Sequence, residues 1–206
     1  MDASRDEALR EAALALLADV GYDRLTLDAV AARARAGKTT IYRRWSGKAE
    51  LVVDALVSVK GPLEFPDTGS LAGDLRAVAH GFASPESRFD ARVTIGMLTA
   101  LARDAELREV FRDGFLAPRM MGFRTLLERA VARGEIAGDR DLDLLAVVFP
   151  AMALQHLVTH GEIPDTELAE RIMATVVLPL AIAPSQAAQP APPDGRRKRR
   201  RGRSDV

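Results

Sequence analysis

Gly37-Lys38-Thr39 spells the end of a phosphate-cradling nucleotide loop, and it sits in a segment crowded with cations. Residues 33–48 hold Arg33, Arg35, Lys38, Arg43, Arg44 and Lys48 and no acid. Such a cluster attracts a polyanion, either a nucleotide's phosphates or a nucleic-acid backbone. The nucleotide loop needs Gly-x-x-x-x-Gly-Lys-[Ser/Thr] between a strand and a helix. Position 32 is Ala32 where that pattern demands glycine, and the preceding LDAVAARARA has helical spacing. The nucleotide reading fails on its own requirements. A merely solvated helix surface normally mixes both signs of charge, so a nucleic-acid contact is the better expectation.

Other chemistries find less support. With no cysteine, disulfides, thiolate metal sites and a Cys nucleophile are absent. His156 and His160 stand one helical turn apart, a spacing that can seat a divalent ion, but no third ligand is clear. No metal or other cofactor is expected. No Ser/His/Asp arrangement can be placed together, and the chain does not read as an enzyme.

The elements that must position the basic segment are helical. Ser4-Arg5-Asp6-Glu7 reads as a capping box opening a helix that stops at Gly21. Thr26 caps a short second helix, Lys38–Trp45 forms a third, and Ser46 caps a fourth over 47–60. Two short helices joined by a tight turn behind a longer one make a helix-turn-helix, whose second helix enters the major groove. On that helix Ile41 and Trp45 share the inward face, while Thr39 and Arg43 lie opposite, with Thr40 and Arg44 beside them. Arg bonds a guanine edge with two prongs, and a Thr methyl touches thymine. Lys38 leads the helix into the groove, and Tyr42 packs its ring while offering its hydroxyl to phosphate.

The stretch GYDRLTLDAVAARARAGKTTIYRRWSGKAELVVDAL resembles the DNA-binding segment of the tetracycline-repressor (TetR) family, with the likeness covering about residues 5–58. It is carried by Gly21-Tyr22, Leu25-Thr26, Ile41 to Trp45, Lys48 and Leu51. The resemblance implies an all-α homodimeric regulator, usually a repressor, that holds a palindromic operator and releases it on binding a small molecule. It puts Lys38, Thr39, Thr40 and Arg43 at base-contacting positions and Thr26, Tyr42 and Lys48 at phosphate-contacting ones. Arg35 occupies the turn position where the family commonly has glycine, so a positive φ is expected there, and its charge adds to the phosphate contacts. Gly37 replaces the usual serine cap.

GPLEFPDTGS (61–70) is rich in breakers and divides the chain into a helix-turn-helix domain, 1–60, and a larger helical domain, 61–183. Helices are expected near 70–83, 85–102, 104–133, 139–160 and 165–182, about nine in all. The last two are apolar around more than one stripe, which suits a dimer face; Pro150 and Pro179 should kink them. Phe82, Met97, Phe115, Met120, Met121, Phe123, Phe149 and Met152 are candidates for an adaptable apolar pocket. The effector expected there is a small, largely apolar molecule of no further identity.

Residues 184–206 carry seven Lys/Arg against Asp194 and Asp205, leaving a net of −5 on the rest of a chain that is neutral overall. This tail is expected to be disordered and suited to salt-sensitive, non-specific DNA binding. With no apolar run of membrane length and a charged N-terminus, no membrane partner is expected and the location should be cytoplasmic. Two other functions stay open: a small-molecule-binding helical protein, and a non-specific nucleic-acid binder acting through the tail.

Overall fold

The computed structural model describes residues 2–61, 63–83 and 91–184. The described residues form nine helices and no strand, in the order α1 (Asp2–Arg24), α2 (Leu27–Arg33), α3 (Lys38–Tyr42), α4 (Lys48–Lys60), α5 (Leu71–Phe82), α6 (Ala91–Arg103), α7 (105–132), α8 (Leu142–His160) and α9 (166–182). Five starts share one device. Thr26, Ser70, Asp104, Asp141 and Asp165 are extended residues whose side-chain oxygens accept the backbone N–H three residues on. Each satisfies a donor the helix leaves without an internal partner.

Four expected boundaries shift, the third helix ending at Tyr42 rather than Trp45. α1 begins at Asp2, so Ser4 lies inside its first turn rather than capping it. The stop at Gly21 is a break: its φ of 74° and ψ of 167° are open essentially to glycine alone, and one further turn to Arg24 follows. Gly47, not Ser46, is the N-cap of α4; Ser46 instead donates its backbone N–H to the Glu50 carboxylate at 2.6 Å. The Ser46 contacts hold the Glu50 carboxyl below its ordinary value.

Pro150 lies within α8, whose helix continues through it from Leu142 to His160. In α7 and α9 the backbone widens into a π-helical stretch, Arg112–Leu116 and Met173–Val177, each ending two residues before a proline, Pro118 and Pro179. A proline ring clashes with the carbonyl four residues back, here Gly114 and Thr175, and both lie inside the widened turns.

Two cores hold the molecule. The first joins Leu9, Leu17, Leu25, Ile41, Trp45, Leu51 and Val52 of the N-terminal helices to Val93, Met97 and Ala100 of α6 and Leu107 of α7. Gly96 permits this: a Cβ there would come within 3.1 Å of the Leu17 carbonyl. The second core unites α5, the latter half of α7, α8 and α9 around Leu75, Phe123, Leu126, Phe149 and Met173. The connection from α4 to α5 runs across α7, with Phe65 edge-on to Phe123 (5.3 Å) over Gly122, where a Cβ would lie 2.1 Å from the Phe65 ring.

α8 has two apolar stripes. Leu145, Phe149, Ala153 and Leu157 are buried, the first two in the second core, while Leu144, Val147, Ala151, Leu154 and Val158 are exposed at alternating three- and four-residue spacing. By length and composition α8 is apolar enough to cross a bilayer, though one of its stripes is already spent on the core.

Candidate nucleic-acid interface

The reading helix α3 is fixed from behind. Ile41 is fully buried and Trp45 nearly so in the first core. The indole Nε1 of Trp45 donates to the Asp54 carboxylate on α4 at 2.8 Å, and Arg10 Nε on α1 donates to the same oxygen at 2.8 Å. The Arg10 guanidinium also lies over the indole, 5.9 Å from its centroid. One carboxylate thus ties α1, α3 and α4 together. Arg44 points back to α1, where its Nη2 meets Asp6 at 3.0 Å.

The opposite face is open. Lys38, Thr39, Tyr42 and Arg43 are exposed and Thr40 is half-exposed, with Tyr42 keeping 61% of its surface in solvent. Thr26 accepts the Ala29 N–H at 3.2 Å, which leaves its hydroxyl proton to donate outward. Lys48 turns the other way: its Nζ donates to the Tyr22 carbonyl at 3.0 Å and stands 4.0 Å from the centre of the Tyr22 ring. Burial, and then the nearby acids Asp104, Glu106 and Asp23, push the Tyr22 phenol well above its ordinary value, so it stays neutral beneath that ammonium.

The turn between α2 and α3 has the conformation its sequence demanded at a price in strain. Arg35 has a φ of 51° and is the one non-glycine residue with positive φ among those described. Ala36 N–H bonds the Ala31 carbonyl at 2.9 Å and Arg35 N–H the Ala32 carbonyl at 3.2 Å. That pairing is a Schellman C-cap, which ordinarily places glycine where Arg35 stands.

Three cations of the basic cluster are seen to meet acids from neighbouring helices. Arg33 pairs with Asp19 at 3.0 Å, Lys38 with Asp28 at 2.6 Å, and Arg44 with Asp6. The Asp28 hydrogen bond holds the Lys38 ammonium above its ordinary pKa. Exposed pairs of this kind are well screened by solvent, so a phosphate or guanine can displace Asp28 at little cost. Counting charges along the sequence could not show these partners, and Asp54, Arg10, Asp6 and Asp28 all escaped it.

The N-terminal region, residues 9–55, matches the family model described as "Bacterial regulatory proteins, tetR family", and residues 65–176 match "Tetracyclin repressor-like, C-terminal domain". The chain belongs to the TetR family. It is a DNA-binding transcriptional regulator, and the TetR family is not enzymatic. It is 37% identical over 179 residues to the "DNA-binding transcriptional repressor TetR" of Mycobacteroides abscessus, covering 86% of this chain and 94% of that one. It is 32% identical to the "Uncharacterized HTH-type transcriptional regulator Mb1581" of Mycobacterium bovis, covering 85% and 87% of the two chains. The crystal structure of the "TetR family transcription regulator SCO0332" superposes with a TM-score of 0.62 at 26% identity, covering 84% of this chain and 96% of that one. TetR regulators bind operator DNA as dimers and respond to small-molecule effectors.

In the TetR C-terminal region, a cavity of about 120 Å³ lies between α4, α5, α7 and α8. Phe82, Phe115, Met120, Phe123 and Phe149 line it with Leu63, Lys60 and Arg119. Three other expected wall residues lie elsewhere. Met97 is buried in the first core because α6 packs on α1; Met121 faces solvent with 67% of its surface exposed; Met152 packs half-buried against the second core. His156 and His160 stack at 4.3 Å between ring centres on α8, and no group of three metal-ligating side chains occurs among the described residues.

Proposed function

We propose that this protein is a homodimeric, ligand-responsive repressor that reads a two-fold operator with two copies of α3. The observation that carries this reading is the two-sided reading helix. Ile41 and Trp45 are buried while Lys38, Thr39 and Arg43 beside them are exposed to solvent. Lys38, Thr39, Thr40 and Arg43 contact base edges; Thr26, Arg35, Tyr42, Arg44 and Lys48 contact phosphate. For Arg44 and Lys48 this means sharing their remaining N–H donors, since Asp6 and the Tyr22 carbonyl already engage one each.

The domains are 1–60 and 61–183, and the basic tail of 184–206 lies almost wholly outside the described residues. Two copies join through α8 and α9. The exposed α8 stripe at three- and four-residue spacing is the pattern of a helix–helix seam awaiting a partner, and Leu180 and Ile182 on α9 are exposed as well. The effector is small and largely apolar and occupies the cavity under Phe82, Phe123 and Phe149.

Selecting bound duplexes from a random pool tests the operator reading: a two-fold site with half-sites about one helical turn apart, ~34–36 Å, is expected. Arg43→Ala should lose about 1–3 kcal/mol of preference at one base position. Selection that yields no two-fold site, or an Arg43→Ala protein with unchanged preference, refutes it.

A further inference from the structure

Behind the reading helix lies an acidic groove. It runs between α1, α4 and the start of α7 and has a volume of about 760 Å³. Six carboxylates line it, Asp6, Glu50, Asp54, Glu106, Glu109 and Asp113, against two cations, Arg10 and Arg44. Those two already meet Asp54 and Asp6. Glu109 and Asp113 share the exposed Arg112, at 4.0 and 2.8 Å, and Glu106 meets no cation among the described residues. Asp6 is nine-tenths buried, and its Oδ1 has no hydrogen-bond partner among the described residues. A buried carboxylate oxygen without a donor carries its full desolvation penalty, which an N–H brought into the groove relieves.

The spacing of these acids decides what fits. No three metal-ligating side chains converge on one point among the described residues, so a single ion is not the match. A string of spaced cations is, and the chain carries one. Residues 196–203, RRKRRRGR, hold seven Lys/Arg and no acid. Arginine suits such a site, because its planar fork takes a carboxylate with two prongs. Its apolar stem can lie along Val53, Val57 and Val110, which share the groove with the acids. We propose that the groove is the docking site of the chain's own basic segment, 196–203.

The chain is long enough for this. α9 ends at Ile182, and the Leu180 carbonyl is held by Arg140 in the connection that follows α7. The groove is at the other end of α7, and Glu106 to Ala132 is about 40 Å of helix. Sixteen residues separate Pro184 from Arg200, and extended they span up to about 53 Å. Tethering of this kind gives the segment a local concentration far above that of a free basic peptide. Seated in the groove, its cations are neutralised and withheld from phosphate. Groove and duplex then compete for the same charges, and DNA binding that ignores sequence is held down.

Lys198 makes the contact directly testable, as it is the one lysine in the basic segment. A zero-length carbodiimide joins an amine only to a carboxylate it touches. In the full chain at low salt it should couple Lys198 to Glu106, Glu109 or Asp113, and the product should vanish in about 0.5 M salt, where exposed charges are screened. Lys198 joined to none of these three, or no more often than to acids elsewhere, overturns the proposal. With isotope-labelled and unlabelled chains mixed, links found only between the two kinds overturn the intrachain assignment and put the partner copy's segment in the groove. A second measurement uses a duplex of random sequence. Glu106→Gln, Glu109→Gln and Asp113→Asn together should tighten its binding roughly 10-fold and steepen the salt dependence by about 0.9 for each cation released to phosphate. The same three substitutions in a chain whose six arginines of 196–203 are replaced by glutamine remove only repulsion and should have a much smaller effect. An equal effect in both backgrounds refutes docking. Neither measurement involves an operator, so both outcomes are independent of the base-reading assignment.

Discussion

Replacing Arg35 with glycine should make the protein more stable and a poorer DNA binder. Arg35 is held at a φ of 51°, a left-handed conformation that costs an L-residue about 1–2 kcal/mol. Glycine removes that strain but gives the unfolded chain more freedom, an opposing term of roughly 0.5–1 kcal/mol. The Arg35 side chain is exposed and makes no hydrogen bond or ion pair among the described residues, so little else is lost. The net is a stabilisation on the order of 0.5–1 kcal/mol, or about 1–4 °C in Tm for a domain of this size. Urea unfolding should show a higher midpoint with an unchanged slope. Operator affinity should fall, and the dependence of log K on log salt should flatten by about 0.9 for each phosphate contact removed, one in each copy of the dimer. A destabilised Arg35→Gly protein would refute the strain argument. An unchanged salt dependence would take Arg35 away from the DNA backbone.

Two further outcomes follow from the carboxylates. Asp54→Ala strands the Trp45 indole N–H and the Arg10 guanidinium, and should cost about 2–3 kcal/mol. Because Trp45 is the chain's one tryptophan, its emission should shift to the red in the same variant; unchanged emission and stability would remove Asp54 as the anchor. Asp74, fully buried, accepts from the Thr68 N–H at 2.6 Å, the Thr68 hydroxyl at 2.7 Å and Arg133 Nη2 at 3.0 Å. Burial pushes its carboxyl up, but the Thr68 donors and Arg133 outweigh it and the pKa sits below 3.8. A depressed carboxyl stabilises the fold above its unfolded value, and that contribution is lost as pH falls through the folded one. The stability advantage of the native protein over Asp74→Asn should therefore be constant near neutrality and shrink below about pH 4; a gap that holds steady to pH 3 in urea titrations would contradict it.

What could be read before the structure followed local rules. Caps at Thr26 and Asp104, breaks at Gly21, Gly61 and Gly161, and the inward pair Ile41 and Trp45 all act within a few residues of themselves. The left-handed Arg35 was legible through the family resemblance alone, which has glycine at that turn position. What escaped depends on contacts distant in sequence. Lys48 lies on the expected helix, yet its ammonium is captured by a carbonyl 26 positions away. Met97 has the composition of a pocket residue, but Gly96 beside it lets α6 press against α1 and carries it into the other core. Arg119 carries no sequence signal of its own, and it is the carbonyls of Phe115 and Gly61, one of them 58 positions away, that hold it.

α4 is where the two cores bear on each other. Its buried residues Leu51, Val52, Val53 and Leu56 belong to the first core, which already includes α6 and the start of α7. Its last residue, Lys60, and the following Gly61 reach the cavity wall of the second. Thirteen residues of helix span about 20 Å, and packed helices slide or tilt as units rather than bend smoothly. Asp54 is the group on which Trp45 and Arg10 converge, so α4 carries the anchor that holds the reading segment to α1.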